Sequence, residues 1–224
     1  MSTARAILAL ARRDLTGALR RPGDALLPVL FLITGTALFP LGVGPGADTL
    51  ARIGTGVIWV LALFAITIGT DRLWAGDVED GSLETLALSI LPLEVTALVR
   101  TGVHWLVSGL PIVLASPLLA LLLQLEPTAL LVLPAALLLG TPVLVMIGGI
   151  GAALLVGSRR SQALTALLVL PLQIPTLIFG VGAVEAVTTG VGGTVPFLVL
   201  GALLLATAAL APFATAAALR LALE

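Results

Sequence analysis

Six stretches of the chain, at 25–43, 53–70, 101–123, 128–156, 163–184 and 194–218, contain no Asp, Glu, Lys or Arg. An α-helix rises about 1.5 Å per residue, so roughly 20 apolar residues cross the hydrocarbon layer of a bilayer, and each stretch is of about that size. A helix also satisfies its own backbone hydrogen bonds in lipid, where no water can do so. A soluble domain is about one quarter charged. Here only 10% of 224 residues are charged and 59% are hydrophobic, with a mean hydropathy of +1.20. The sequence therefore predicts an all-α polytopic membrane protein: a single transmembrane domain with six spans over 25–218 and little left for a soluble domain. Cysteine is absent, which excludes disulfide and thiol chemistry.

Six spans put both termini on one side. All eleven basic residues are Arg. If the N-terminus is cytoplasmic, ten of them (Arg5, Arg12, Arg13, Arg20, Arg21, Arg72, Arg100, Arg159, Arg160 and Arg220) share that side and only Arg52 lies outside. This is the positive-inside asymmetry over short loops, and omitting one span would destroy it. The first run is too long for a signal-peptide core and is followed by five more, so it is expected to be retained as a span. Gly140 and Pro142 in the fourth run either kink it or split off a turn near its outer half, or simply reflect how common Gly and Pro are in membrane helices. Pro171 and Pro175 interrupt the hydrogen bonding of the fifth, leaving carbonyls for neighbouring helices or water to satisfy.

Residues 1–22 have a pattern of their own. Ile7, Leu8, Ala11, Leu15, Ala18 and Leu19 recur at helical spacing, and Arg5, Arg12, Arg13 and Arg20 fall in an opposing arc. This predicts an amphipathic interfacial helix, its apolar stripe among lipid headgroups and its arginines in the cytoplasm or on anionic lipid. It either fixes topology or bridges the bundle to a cytoplasmic partner.

The one sizeable polar stretch is 71–100, which holds Asp71, Asp77, Glu79, Asp80, Glu84 and Glu94, six of the twelve acidic residues. Gly81 and Ser82 punctuate it. Ser82 is expected to cap a short helix with Glu84 in its first turn. Such a capped, acidic, half-apolar helix is either a docking surface or an ordinary solvated loop. Asp77, Glu79 and Asp80 lack the ligand spacing of a calcium loop.

The chain has no Lys, so it cannot form the phosphate-binding loop of a usual ATPase. No charged group sits in the middle of any span, which argues against proton or ion coupling. A bundle without its own energy source fits a permease subunit driven by a separate ATPase. His104, the sole histidine, is read as a hydrogen-bonding residue at the start of the third span, with haem ligation or proton relay as the alternative. Trp59, Trp74 and Trp105 are dispersed and are read as interface anchors. No catalytic constellation or cofactor-binding motif is present in the sequence. On the outer side, Arg52 and Glu185 are candidates for a gate or a contact to a periplasmic partner.

The segments LFPLGVGPGADTLARIGTGVIWV (38–60), DRLWAGDVEDGSLETL (71–86), HWLVSGLPIVLASPLLALLL (104–123), LLLGTPVL (137–144) and LAPFATAAALRLALE (210–224) together resemble the haem exporter protein B family, CcmB. The resemblance runs essentially end to end. It implies the ABC-2-type membrane subunit of a bacterial inner-membrane complex for cytochrome c maturation. Its partners would be a cytoplasmic ATPase that binds ATP and magnesium, a tryptophan-rich haem-handling membrane protein, a small single-span protein and a periplasmic haem chaperone. Haem would be handled by the complex, with no cofactor bound by this chain and no role for nucleic acid. Carried onto these residues, 77–86 would seat on the ATPase, with Arg12, Arg13 and Arg20 nearby. The rival readings are a lipid or small-molecule exporter of the same architecture and a scaffold without coupled motion.

Overall fold

The computed structural model describes residues 3–20, 22–70, 73–156 and 161–223. Among them, helix α1 (Thr3–Arg20) precedes α2 (Pro22–Val43) and α3 (Ala47–Thr70), and two short helices follow, α4 (Ala75–Glu79) and α5 (Ser82–Ala87). The third long unit joins α6 (Leu93–His104), a π-helical turn (Trp105–Gly109) and α7 (Leu110–Leu122). Helices α8 (Ala129–Leu154), α9 (Ser161–Thr188) and α10 (Thr194–Leu221) complete the chain, and no strand occurs among the described residues. Six of these units are long and apolar enough to cross a bilayer, and the protein is a multi-pass membrane protein. Arg21, Asp71, Arg72, Arg159 and Arg160, part of the sequence argument for topology, lie outside the described residues.

Helix α8 packs on α3, α6, α7, α9 and α10, while α3 also packs on α2 and α9. Helices α2 and α10 have the least buried apolar windows of the six, and side chains such as Leu30, Leu38, Leu205 and Phe213 face outward as a lipid-solvated protein requires.

The third span corrects the sequence reading. It begins at Leu93, just after Pro92, and not at 101. Glu94 and Arg100 made the first two turns look like loop, but both charges are paired: Glu94 accepts from Arg220 of α10 at 2.6 Å, and Arg100 joins the cluster described below. The polar connection is therefore shorter than 71–100. The span also contains a π-turn, a feature that appears mostly as single-turn bulges within α-helices. A Cβ on Gly109 would lie 2.5 Å from Trp105 Cδ1, so the bare glycine is what lets the indole fold over the turn. Trp105 Nε1 donates to Thr141 Oγ1 of α8 at 2.9 Å.

Two of the three tryptophans are not interface anchors. Trp59 and Trp74 are fully buried. Trp59 occupies a slot between α8 and α9 where Gly140 and Gly180 present no side chain. Gly140 thus makes room for an indole, and α8 continues as helix through Gly140 and Pro142 without splitting off a turn. Small residues at helix contacts are the usual means of close approach in membranes.

A polar contact that the sequence did not announce lies between the two prolines of α9. Gln173 is fully buried; its Nε2 donates to the Leu144 carbonyl at 3.0 Å, and its Oε1 accepts from Thr67 Oγ1 at 3.1 Å. One side chain thus ties α9 to α8 and α3. Hydrogen bonds between spans contribute about 0.6–2 kcal/mol. Replacing Gln173 with Leu should lower the thermal unfolding midpoint in detergent by an amount matching about 1–2 kcal/mol, and the added Thr67→Val should then have little further effect. Independent, additive losses from the two substitutions would show that they do not share this network.

Candidate partner-docking site at the arginine-rich end

The segment between α3 and α6 is seated on the bundle by a small core of its own. Trp74 and Leu83 are buried against Ala97 of α6, Ala152 and Ala153 of α8, and Ala218 and Leu219 of α10, with Leu73, Val78 and Val156 at the edge. The alanines form a shallow floor that a leucine and an indole can fill. Trp74 Nε1 donates to the Gly149 carbonyl at 3.2 Å, which fixes the ring. Burying a leucine side chain contributes about 1.5–3 kcal/mol, enough to hold a short segment that could not be helical alone.

Above this floor the chain turns at Gly81, whose φ of 72° lies in the left-handed region that a glycine adopts without strain. The cap of α5 differs from expectation. Gly81 is the N-cap and offers no side chain; Ser82 is the first helical residue, and its N–H donates to Asp80 Oδ1 at 2.9 Å in a local turn just before the helix. Ser82 Oγ instead donates to Asp77 Oδ1 at 3.0 Å. Interactions with Ser82, side chain and then backbone, hold the Asp80 carboxylate below its ordinary value. A depressed folded-state value means that this contact is present at neutral pH and is lost only as pH falls through that value.

The six residues singled out in sequence do not form one surface. Glu79, Asp80, Gly81 and Glu84 are exposed, and Ser82 is half-buried. Asp77 is buried, and it pairs with Arg100 of α6. The same guanidinium reaches Asp14 of α1, Nε to Oδ2 at 3.1 Å, and stacks over the Trp74 ring at 4.8 Å from its centroid. That 3.1 Å contact is an ion pair but is not aligned as a hydrogen bond, since Asp14 Oδ2 makes none. Arg13 closes the cluster by pairing with Asp14 Oδ1 at 2.9 Å. Asp77 is thus held inside the fold and points to Arg100 instead of converging with the exposed Glu79 and Asp80. Among the described residues no three His, Asp or Glu side chains are placed to hold a metal ion.

Helix α1 packs along α6, with Asp14 reaching Arg100 of that helix, and Leu10 is its one buried leucine. Its arginines Arg5, Arg12, Arg13 and Arg20 are exposed. The expected single apolar stripe is divided: Leu10 is buried, with Ile7, Ala11 and Ala18 half-buried, whereas Leu8 and Leu19 are largely exposed and Leu15 is 37% exposed. Arg13 reaches Asp14, and the residues that connect α1 to the acidic segment are Asp14 and Arg100. Sequence reasoning passed over both. Asp14 is the lone acid on the apolar side of α1, and Arg100 is the lone cation at the head of an apolar run; that opposition was the available signal.

His104 is not at a helix start. It closes α6, and its Nε2 is buried beside Gly69 without a hydrogen-bond partner among the described residues. Its backbone carbonyl accepts from Ser108 Oγ at 2.8 Å. At the opposite end of the bundle, Arg52 and Glu185 are both exposed and form no ion pair with each other, so the sequence gives a pair of candidates that the structure does not join.

The family pattern of the CcmB protein matches residues 5–222, nearly the whole chain. The chain belongs to the CcmB family. It is 49% identical to Heme exporter protein B of Paracoccus denitrificans over 212 residues, covering 95% of this chain and 97% of that one. It is 46% identical to Heme exporter protein B of Rhodobacter capsulatus over 212 residues, again 95% and 97% of the two chains. Heme exporter protein B of Escherichia coli K12 is 44% identical over 213 residues, 95% of this chain and 97% of its own. These matches of near-equal length place the whole CcmB-type bundle, from α1 to α10, within one shared sequence.

Proposed function

We propose that this chain is the membrane subunit of an ABC-type haem-export complex in cytochrome c biogenesis, receiving mechanical work from a separate ATPase through residues 77–86. The observation that carries the reading is the seating of that segment. It is anchored by Leu83, Trp74 and Arg100 to α6, α8 and α10, yet it leaves Glu79, Asp80 and Glu84 exposed as an acidic face. A rigid, charged element fixed to several spans can pass a push to all of them, which a loose loop cannot. Work from nucleotide-driven closure of the ATPase tilts those spans and alters the outer surface. There a tryptophan-rich haem-handling protein, a small single-span protein and a periplasmic haem chaperone assemble, and the outcome is release of the loaded chaperone.

ATP and magnesium belong to the partner ATPase, and haem is cargo of the complex. The arginine distribution supports a bacterial inner-membrane location with both termini cytoplasmic: Arg5, Arg12, Arg13, Arg20, Arg100 and Arg220 gather at the end that carries the acidic segment, and Arg52 lies on the first turns of α3 at the other end.

The test uses the purified complex with its ATPase, the haem-handling partner and haem-loaded chaperone. With Glu84→Arg, an acidic face meeting a basic partner becomes a like-charge contact, and ATP-driven release should fall by about tenfold or more while the membrane subunits stay assembled. Release that is independent of ATP in the unmodified complex, with hydrolysis responding instead to a solute in the bilayer, would favour the small-molecule exporter.

A further inference from the structure

The bare part of α1 has no protein partner among the described residues, yet it is strongly patterned. At 100° per residue, Leu8, Leu15 and Leu19 fall within about 40° of arc. They form a ridge between the face packed on α6 and the face that carries Arg5, Arg12 and Arg20. Leu8 is 70% and Leu19 67% exposed. Because Asp14 meets Arg100, two turns into α6, α1 lies at the level where the third span leaves the polar region. An apolar ridge flanked by arginines at that level fits the boundary between acyl chains and headgroups.

The chemistry selects the kind of headgroup. A partner that docks on Glu79, Asp80 and Glu84 carries positive charge, so it repels the arginines of α1 instead of matching them. Anionic phospholipid matches both the ridge and its charge, since each Arg near such a surface is attracted to it. The neighbouring contact gives lipid binding a consequence: Asp14 of α1 and Asp77 of α4 share one guanidinium, so holding α1 against the bundle also holds the acidic segment.

We propose that Arg5, Arg12 and Arg20 with the Leu8, Leu15 and Leu19 ridge form an anionic-phospholipid site, and that its occupancy fixes the acidic segment through Asp14, Arg100 and Asp77. The choice of lipid over a protein occupant rests on the proposed docking of a basic partner at the acidic segment, as does the effect on coupling; lipid retention by the arginines is read out independently of both. The experiment therefore follows position, not turnover.

The complex is placed in phosphatidylcholine vesicles and in vesicles with about one third phosphatidylglycerol, and amide hydrogen exchange is measured over 75–87. The expected result is exchange about tenfold slower over 75–87 with phosphatidylglycerol. That difference should vanish in the triple variant Arg5→Gln, Arg12→Gln, Arg20→Gln, and the variant should retain less phosphatidylglycerol on purification. Arg52→Gln, at the other end of the bundle, should leave both readings as in the unmodified protein. Equal exchange in the two lipids, or a lipid effect that survives the triple substitution, overturns the proposal. Loss of the ATPase subunit from the triple variant in both lipids would assign the face to that protein and overturn it as well.

Discussion

Replacing Arg100 with Leu should release both α1 and the acidic segment from the bundle. Arg100, Asp14 and Asp77 have side chains only 13%, 13% and 11% exposed, so removal of the cation leaves two largely buried carboxylates facing each other. Breaking such a cluster by removing one partner costs about 3–5 kcal/mol, far more than an exposed pair. The stacking over Trp74 is lost at the same time. The measurement is hydrogen exchange of α1 and of 75–87, together with the unfolding midpoint in detergent. Both segments should lose protection together, while α8 and α9 keep theirs. Neutralising the stranded acids, as in Arg100→Leu with Asp14→Asn and Asp77→Asn, should recover part of the loss. Unchanged exchange in the single variant would mean that the small core around Leu83 holds the segment unaided.

Gly180→Leu should be the most damaging substitution within the spans. A Cβ there would stand 2.3 Å from Trp59 Cζ2, and one on Gly140 would stand 2.5 Å from Cη2 of the same ring. The indole is fully buried between α8 and α9 and has no free direction in which to yield. Overpacking of a filled core costs about 1–3 kcal/mol for modest insertions, and a whole leucine against two helix backbones exceeds that range. The expected outcome is loss of folded protein from the membrane fraction. Trp59→Ala should rescue it, since removing the indole on α3 frees more volume than the leucine on α9 fills. Rescue that fails would show that Gly180 serves helix–helix approach independently of the indole.

The six spans were legible because each apolar run is uninterrupted and about one bilayer long, a property that composition expresses directly. The start of the third span was not, because Glu94 and Arg100 become compatible with a helix only through partners on α10, α1 and α4, far away in sequence. The acidic segment was found as the one polar stretch, yet its residues divide between fastening and exposure according to which carboxylate faces Arg100. Sequence spacing cannot report that. Serine is a frequent capping residue, which is why the pattern points to Ser82; the left-handed turn instead makes Gly81 the cap and leaves Asp80 to accept from the Ser82 N–H. Tryptophan near the end of an apolar run suggests an interface, but Gly140 and Gly180, eighty or more positions away, open an interior slot for Trp59.

The π-turn at Trp105–Gly109 bears on how the length of this span can vary. Such a turn holds one residue more than α geometry needs, so the helix on either side keeps its own facing only because that extra residue is absorbed locally. A deletion of one residue between Trp105 and Gly109 converts the turn to ordinary helix and leaves Thr101 and Val103 before it, and Ile112 and Val113 after it, turned toward the same neighbours. A one-residue deletion within α6, or within α7 before Ile112, instead rotates the two parts of the span by about 100° relative to each other, so the residues before and after the turn can no longer all keep their neighbours. Relatives with a third span one residue shorter can therefore share this architecture without compensating changes in α8, provided the missing residue comes from that turn.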